Sequence, residues 1–142
     1  MARGQEDHVI ICGYGVVGGR IAEQLSENKI RFVVIEIDPA KAQALREAGY
    51  SVVCGDATSS AVLREAGLSN AKAIAAVTDN DAKNLFTVIT ARDIRKDIFI
   101  ATRANDDFVR EKLVEAGANH IVMPQATASK EIMKEISNLR GK

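Results

Sequence analysis

Short apolar runs alternate with amphipathic stretches along the 142 residues of this chain. The apolar runs are rich in Val, Ile and Ala, which is typical of strands buried on both faces of a parallel sheet. They predict strands over residues 9–12, 31–37, 51–54, 71–77, 98–101 and 120–123. The stretches between and after them predict helices over residues 16–28, 38–48, 59–66, 82–93, 106–116 and 129–139.

Strands that alternate with helices through short loops specify an α/β fold, in which a parallel sheet is covered on both faces. Because crossover connections are right-handed, we expect a Rossmann-like doubly wound sheet of six strands in the order 3-2-1-4-5-6. The tripeptide Glu-Ala-Gly recurs at 47–49, 65–67 and 115–117, where each glycine is placed to end a helix in the left-handed conformation. No internal boundary is visible, so residues 1–142 are predicted to be a single domain, with residues 125–140 forming a C-terminal helix.

The first predicted strand leads directly into the pattern Gly13-x-Gly15-x-x-Gly18 and then into a helix. This order is the one that a dinucleotide-binding βαβ unit requires. In it, Gly13 makes a tight turn, Gly15 lets a diphosphate approach the backbone, and Gly18 lets the helix lie close to the strand. The free N–H groups of the helix N-terminus suit an anionic ligand.

Glu36 lies near the end of the second predicted strand, 18 residues after Gly18. An acid at this position accepts hydrogen bonds from ribose hydroxyls, and it favours NAD or an adenosine nucleotide over NADP. The alternative is a solvated charge at a strand end. We interpret the nearby Asp38 as the cap of the next helix, with Pro39 in its first turn.

Polar residues follow the next three predicted strands as well. Asp56, in the turn Gly-Asp-Ala-Thr at 55–58, is placed to accept a hydrogen bond from an adenine amino group, and a plain Asx turn is the alternative. Thr78 and Asp79 lie beside the expected diphosphate, or else cap the following helix. Arg103 lies just past the fifth strand and is placed to reach a phosphate, with a surface salt bridge as the alternative.

Composition narrows the class of protein. The formal net charge is zero and aromatic residues make up 4%, so we expect neither nucleic acid nor a lipid surface as a partner. No segment is apolar enough for a membrane span and no signal peptide is recognised, which predicts a cytoplasmic protein without direct membrane insertion. Cys12 and Cys54 are interpreted as two buried thiols, and His8 and His120 are given no role.

These residues together resemble the RCK/KTN (TrkA N-terminal, NAD-binding) domain, the cytoplasmic regulatory domain of potassium channels and transporters. The matching stretches are VIICGYGVVG, VVIEIDP, VVCGDAT, LREAGLSNAKAIAAVTDNDAKN, FIATRAN and EAGANHIVMP, which run from residue 9 to 124. With that resemblance, the residues predicted to contact a nucleotide are Gly13, Tyr14, Gly15, Val16, Val17, Glu36, Ile37, Asp56, Ala57, Thr58, Thr78, Asp79 and Arg103.

The resemblance implies NAD(H), AMP, ADP or ATP as ligand, and a channel pore or transporter membrane subunit as partner. Some members of the family carry a basic residue in the glycine loop for a terminal phosphate. Here Val16 and Val17 occupy the loop, which favours a diphosphate or a smaller group. Calcium-gated members have acidic residues along strand 5, and this chain has Ala-Thr-Arg-Ala at 101–104, so we expect no calcium gating through that site.

No His, Lys or Tyr has an orienting partner at a position suited to proton transfer. We therefore expect a regulatory, ligand-sensing domain and not an enzyme. The alternative is the cofactor domain of an NAD-dependent oxidoreductase that lacks its substrate domain.

The last predicted helix bears on assembly. Ile132, Met133, Ile136 and Leu139 form one apolar face. This face either packs on the sheet of the same chain or docks on a neighbouring subunit. The resemblance implies homodimers that associate further into a ring.

Overall fold

The computed structural model describes residues 6–139, which form one doubly wound parallel sheet with six helices. The strands are β1 (Val9–Cys12), β2 (Phe32–Glu36), β3 (Val52–Cys54), β4 (Ala73–Ala76), β5 (Phe99–Arg103) and β6 (His120–Val122). The helices are α1 (Val16–Glu27), α2 (Pro39–Glu47), α3 (Ser60–Glu65), α4 (Asp81–Ile94), α5 (Asp107–Ala116) and α6 (Pro124–Ser137). The strand order is β3-β2-β1-β4-β5-β6, which confirms the predicted fold. No helix within residues 6–139 is long and apolar enough to cross a membrane.

Alternate residues of the central strands point to opposite faces of the sheet, so each strand contributes to two cores. Ile10 and Ile74 belong to the core that packs against α3, α4 and α5, which contribute Leu63, Val88 and Leu113. On the opposite face, Ile11 packs with Ala22 of α1, and Val34 packs with Ala42 and Leu45 of α2. Burial on both faces is the reason why these strands read as continuous apolar runs.

Strand β1 occupies the centre of the sheet and pairs with β2 on one side and β4 on the other. The order in which the chain adds strands reverses at this boundary, because β2 and β3 lie to one side of β1 and β4 to β6 lie to the other. The carboxyl ends of β1 and β4 therefore open into a crevice at the switch point of the sheet.

The helix ends follow the predicted chemistry. Asp38 caps α2, since its Oδ1 accepts a hydrogen bond from the Ala40 N–H at 2.9 Å. The glycines that end the three Glu-Ala-Gly tripeptides, Gly49, Gly67 and Gly117, have φ of +98°, +82° and +103°. This left-handed conformation confirms their predicted role as stops.

Several boundaries differ from the prediction, and two of them have a clear physical reason. Helix α6 begins at Pro124, one residue before the predicted range 125–140 and five before the predicted start at Ser129, because a proline that ends a strand is also compatible with the first position of a helix, where its N–H is not needed. Strand β5 continues to Arg103, two residues beyond the predicted end, since Thr102 and Arg103 still pair with β6.

The prediction that both cysteines are buried is correct for Cys12 and wrong for Cys54. Cys12 is fully buried, and burial raises the pKa of its thiol to about 12, so the thiol stays protonated and unreactive. Cys54 ends β3 and is exposed. His8, to which no role was given, is fully buried, and its Nε2 lies 2.9 Å from the carbonyl oxygen of Ala66.

The glycines of α1 make a matched pair for a stability test. A Cβ on Gly18 would lie 2.1 Å from the carbonyl oxygen of Gly13, whereas a Cβ on Gly19 would meet Tyr14 at an ordinary 3.6 Å. We expect Gly18→Ala to lower the free energy of unfolding by about 1–3 kcal/mol through overpacking. Gly19→Ala should raise it by about 0.5–1 kcal/mol, since alanine is the better helix former. Urea unfolding measures both, and a Gly18→Ala protein as stable as wild type would contradict the close contact.

Candidate functional site

A cavity of about 530 Å³ lies at the carboxyl ends of the strands, over the switch point. It is lined by Gly13, Tyr14, Gly15, Val16, Val17, Ile35, Glu36, Ile37, Lys41, Gly55, Asp56, Ala57, Val77, Thr78, Asp79, Asn80, Lys83, Thr87 and Arg103. All the predicted contact residues except Thr58 are among them. The topology thus brings together residues that lie up to 90 positions apart in the chain, from Gly13 to Arg103.

The glycine loop forms the floor of the cavity. Gly13 has a φ of +94°, and a Cβ there would lie 2.7 Å from Cγ2 of Thr78, so glycine is needed both for conformation and for space. Gly15 is the N-cap of α1 and makes no side-chain capping bond, and the position of its missing Cβ is open. The first N–H groups of α1 therefore face a space that an anionic group can enter.

The neighbouring side chains of the loop are arranged differently. Val16 is 81% exposed and presents an apolar surface at the cavity. The Tyr14 ring turns away toward Tyr50, with ring centroids 6.0 Å apart. Burial and a hydrogen bond with Tyr50 raise the pKa of Tyr14 to about 12, so this phenol stays neutral near neutral pH. Tyr14 thus packs α1 against the region of α2 and β3, and it supplies no charge to the site.

Glu36 ends β2 inside the cavity wall and is only 7% exposed. Its Oε2 accepts a hydrogen bond from the Asp38 N–H at 2.9 Å, which orients the carboxylate. The adjacent Ile37 is half-exposed and lines the same wall. A buried, oriented carboxylate beside an apolar surface is the arrangement expected for binding the two hydroxyls of a ribose.

Asp56 is held by the residue two positions after it. Its Oδ1 accepts hydrogen bonds from the N–H and the Oγ1–H of Thr58, at 2.9 and 2.8 Å. These bonds hold the pKa of Asp56 below its usual value, and the positive charge of Lys83 acts in the same direction. Thr58 is not among the residues that line the cavity, and its two hydrogen bonds orient Asp56. Asp56 therefore forms the Asx turn and also places its carboxylate in the cavity wall.

The carboxyl ends of β4 and β5 are joined by a buried amide. Asn84 of α4 is fully buried; its Oδ1 accepts from the N–H and Oγ1–H of Thr78, and its Nδ2 donates to the carbonyls of Thr78 and Arg103. The predicted alternative role of Thr78 and Asp79 as helix caps is taken by Asn80, whose Oδ1 accepts from the Lys83 N–H. Thr78 and Asp79 are left at the cavity wall.

Three cations line the cavity: Lys41, Lys83 and Arg103. Within residues 6–139, ion pairs form between Arg95 and Asp97 and between Lys112 and Glu115, and none of the cavity cations belongs to one. The guanidinium of Arg103 donates to Oδ1 of Asn105 at 3.3 Å, while its Nε is buried without a hydrogen-bond partner. Arg103 thus forms no salt bridge with the described residues, which was the alternative to a phosphate contact.

Sequence reasoning missed Lys41 and Lys83. Lys83 lies in the first turn of α4, where the helix dipole disfavours a positive charge. A cation in the first turn of a helix is a local inconsistency that points to function. No comparable sequence feature indicated Lys41, because its position at the cavity depends on how α2 packs.

The fold and the cavity define a Rossmann-type domain with a glycine loop at the start of α1 and an acidic residue at the end of β2. The sequence pattern of the TrkA-N domain family matches residues 9–124. The chain belongs to this family.

Several named relatives are potassium channel or potassium uptake proteins. The chain is 35% identical over 130 residues to Potassium channel protein 1 of Methanocaldococcus jannaschii, covering 90% of this chain and 39% of the relative. It is 33% identical over 131 residues to a Trk system potassium uptake protein TrkA homolog of Methanothermobacter thermautotrophicus, covering 92% of this chain and 60% of the relative. The chain thus spans about two fifths of the first relative and three fifths of the second.

Solved structures agree with the fold. The TrkA-N domain of the inner membrane protein ybaL from Escherichia coli has a TM-score of 0.88 and 30% identity, with 92% of this chain and 97% of that chain covered. The GsuK channel bound to NAD has a TM-score of 0.78 and 26% identity, with 87% of this chain and 22% of that chain covered. GsuK has also been solved bound to ADP.

The turn at Asp56 allows a test of the site by titration. The folded-state pKa of Asp56 lies below its ordinary value, so its carboxylate stabilises the fold above the unfolded-state pKa, and this contribution is lost as the pH falls through the folded-state pKa. Thr58→Val removes the hydroxyl donor and keeps the backbone donor. We expect it to return the pKa of Asp56 part of the way toward its ordinary value, as measured by carbon NMR of the side-chain carboxyl. Ser60→Ala, just beyond the turn, should leave the titration unchanged; an unmoved pKa in Thr58→Val would show that the hydroxyl bond does not form in solution.

Proposed function

We propose that this chain is a nucleotide-sensing regulatory domain that binds NAD(H) or an adenine nucleotide in the cavity and thereby controls a potassium channel or transporter. The observation that carries the proposal is the convergence of the glycine loop, Glu36, Asp56 and Arg103 on one cavity at the switch point. The family supports the same reading, since its relatives are potassium channel and uptake proteins, and GsuK is known bound to NAD and to ADP.

Each part of such a ligand has a matching group. The open N-terminus of α1 at Gly15 suits a diphosphate. The Glu36 carboxylate suits the ribose hydroxyls, and Asp56 suits the adenine amino group. Arg103 and Lys83 supply positive charge that the described residues do not neutralise by ion pairing.

The proposed role is binding without turnover. The cavity-lining residues include no histidine, and the phenol of Tyr14 is turned toward Tyr50 with a raised pKa. Control would arise by population shift, because a ligand that binds one arrangement of the assembled domains more tightly stabilises that arrangement. The domain would act at the cytoplasmic face of the membrane, bound to or continuous with a membrane protein.

Helix α6 is the proposed surface for self-association. None of its residues is buried, and Ile132, Met133 and Ile136 are 61%, 56% and 50% exposed, with Leu139 beyond the helix at 69%. The face is therefore not covered by the sheet of its own chain. We propose that it is covered in a homodimer, which would associate further into a ring.

The ligand itself is the first test. Mass spectrometry of material released from the purified protein should detect NAD(H), AMP, ADP or ATP. Glu36→Ala and Asp56→Ala should each weaken binding of that nucleotide by about tenfold or more, since each removes hydrogen bonds to a charged group. Glu65→Ala, on the exposed end of α3 outside the cavity, is the control. Wild-type occupancy in both cavity variants would refute the site.

The assembly is tested separately. Ile132→Glu combined with Ile136→Glu places two charges on the exposed face of α6, and burying them in an interface would be costly. We expect the double variant to run as a monomer in light scattering at concentrations where the wild type is a dimer. Glu131→Lys, on the same helix, serves as the control for a change of charge alone. A dimer that persists in the double variant would exclude this face.

A further inference from the structure

We infer that Asn84 is a positioning residue through which the start of helix α4 sets the phosphate-binding half of the cavity. The inference rests on the proposed nucleotide site and goes beyond it, because Asn84 itself does not line the cavity. It acts through Thr78 and Arg103, which do.

The amide of Asn84 is fully used within the protein. Oδ1 accepts from the Thr78 N–H at 3.0 Å and from the Thr78 hydroxyl at 2.7 Å. Nδ2 donates to the Thr78 carbonyl at 3.0 Å and to the Arg103 carbonyl at 3.2 Å. A buried amide with two acceptor and two donor positions filled admits one orientation, so it fixes the ends of β4 and β5 relative to α4.

Thr78 carries this constraint to the glycine loop. A Cβ on Gly13 would lie 2.7 Å from Cγ2 of Thr78, which means that the two residues are in close contact across the β1–β4 boundary. Any displacement of Thr78 therefore changes the space directly beneath the loop. Asn84 thus determines the position of Thr78, which forms the cavity wall next to the glycine loop.

The side chain of Arg103 is held from the same helix by a second route. Its guanidinium donates to Oδ1 of Asn105 at 3.3 Å, and the N–H and Nδ2 of Asn105 donate to the carboxylate of Asp81, the first residue of α4, at 3.0–3.2 Å. The backbone of Arg103 is bonded to Asn84 and its side chain is linked to Asp81. Residues in the first turns of α4 therefore position both the backbone and the side chain of Arg103.

The carboxylates proposed for the other end of a bound nucleotide take their hydrogen bonds from different residues. Glu36 is oriented by the Asp38 N–H, and Asp56 is oriented by Thr58, both on the β2–β3 side of the switch point. A change at Asn84 should accordingly affect the phosphate and leave the nucleoside nearly untouched. Loss of a residue that merely stabilised the fold would weaken the binding of ADP and of adenosine equally.

The test compares the dissociation constants of ADP and adenosine, measured by calorimetry and by competition. Asn84→Asp keeps the size of the side chain and the acceptor, but it replaces the donor to the two carbonyls by an oxygen that repels them. We expect it to reduce the ADP-over-adenosine preference about tenfold, with adenosine binding within about twofold of wild type. His8→Gln is the control, since His8 is equally buried and bonded to a main-chain carbonyl, but lies at the opposite end of β1.

Asn105→Ala provides the second variant, because Asn105 is exposed and its loss should not prevent folding. It should reduce the same preference by about threefold, and it carries the test if Asn84→Asp does not fold. An unchanged ADP-over-adenosine ratio in Asn105→Ala and in any folded Asn84→Asp, or an equal weakening of both ligands, would overturn the inference. A wild-type protein that binds neither ADP nor adenosine would instead refute the proposed site.

Discussion

The carbonyl oxygen of Gly13 and the backbone of Gly18 lie so close that a single methyl group between them would stand 2.1 Å from the oxygen. This contact lets α1 begin directly over the end of β1 and points the N-terminus of the helix into the crevice. The hydrogen-bond donors that α1 offers to an anion depend on this contact, because the N–H groups of the first turn reach the crevice only when helix and strand are this close. Gly13 supplies the turn at a φ of +94°, and Thr78 closes the space beside it.

The two halves of the cavity are built by different means. On the β2–β3 side, Glu36 and Asp56 are oriented by backbone and hydroxyl groups within two residues of each carboxylate. On the β4–β5 side, Asn84 of α4 bonds to Thr78 and to the backbone of Arg103, and Asn105 links the Arg103 side chain to Asp81 of α4. The first two carboxylates are thus oriented by hydrogen bonds from nearby residues of the chain. The positions of Thr78 and Arg103 depend instead on hydrogen bonds to residues of α4.

Three of the helices carry apolar residues that are exposed. The cavity opens at one edge of the sheet, while the faces of α4, α5 and α6 carry Phe86, Phe108 and Ile132 in exposed positions. In a domain that regulates a larger assembly, such residues are expected to meet other subunits.

Much of this protein could be predicted from the sequence alone, because the deciding interactions are local. Apolar runs buried on two faces, the cap at Asp38, and left-handed glycines such as Gly117 each depend on a few neighbouring residues. The spacing of Gly13, Gly15 and Gly18 likewise predicted the loop, and the polar residues at the strand ends predicted side chains that line the cavity. Only the tertiary structure decided that Thr58 orients Asp56 and stays outside the cavity, that Lys41 and Lys83 line it, and that Cys54 is exposed. It also decided that Asn84 joins β4 to β5. Those features depend on how elements far apart in the chain pack against one another, and no pattern within a single element records that packing.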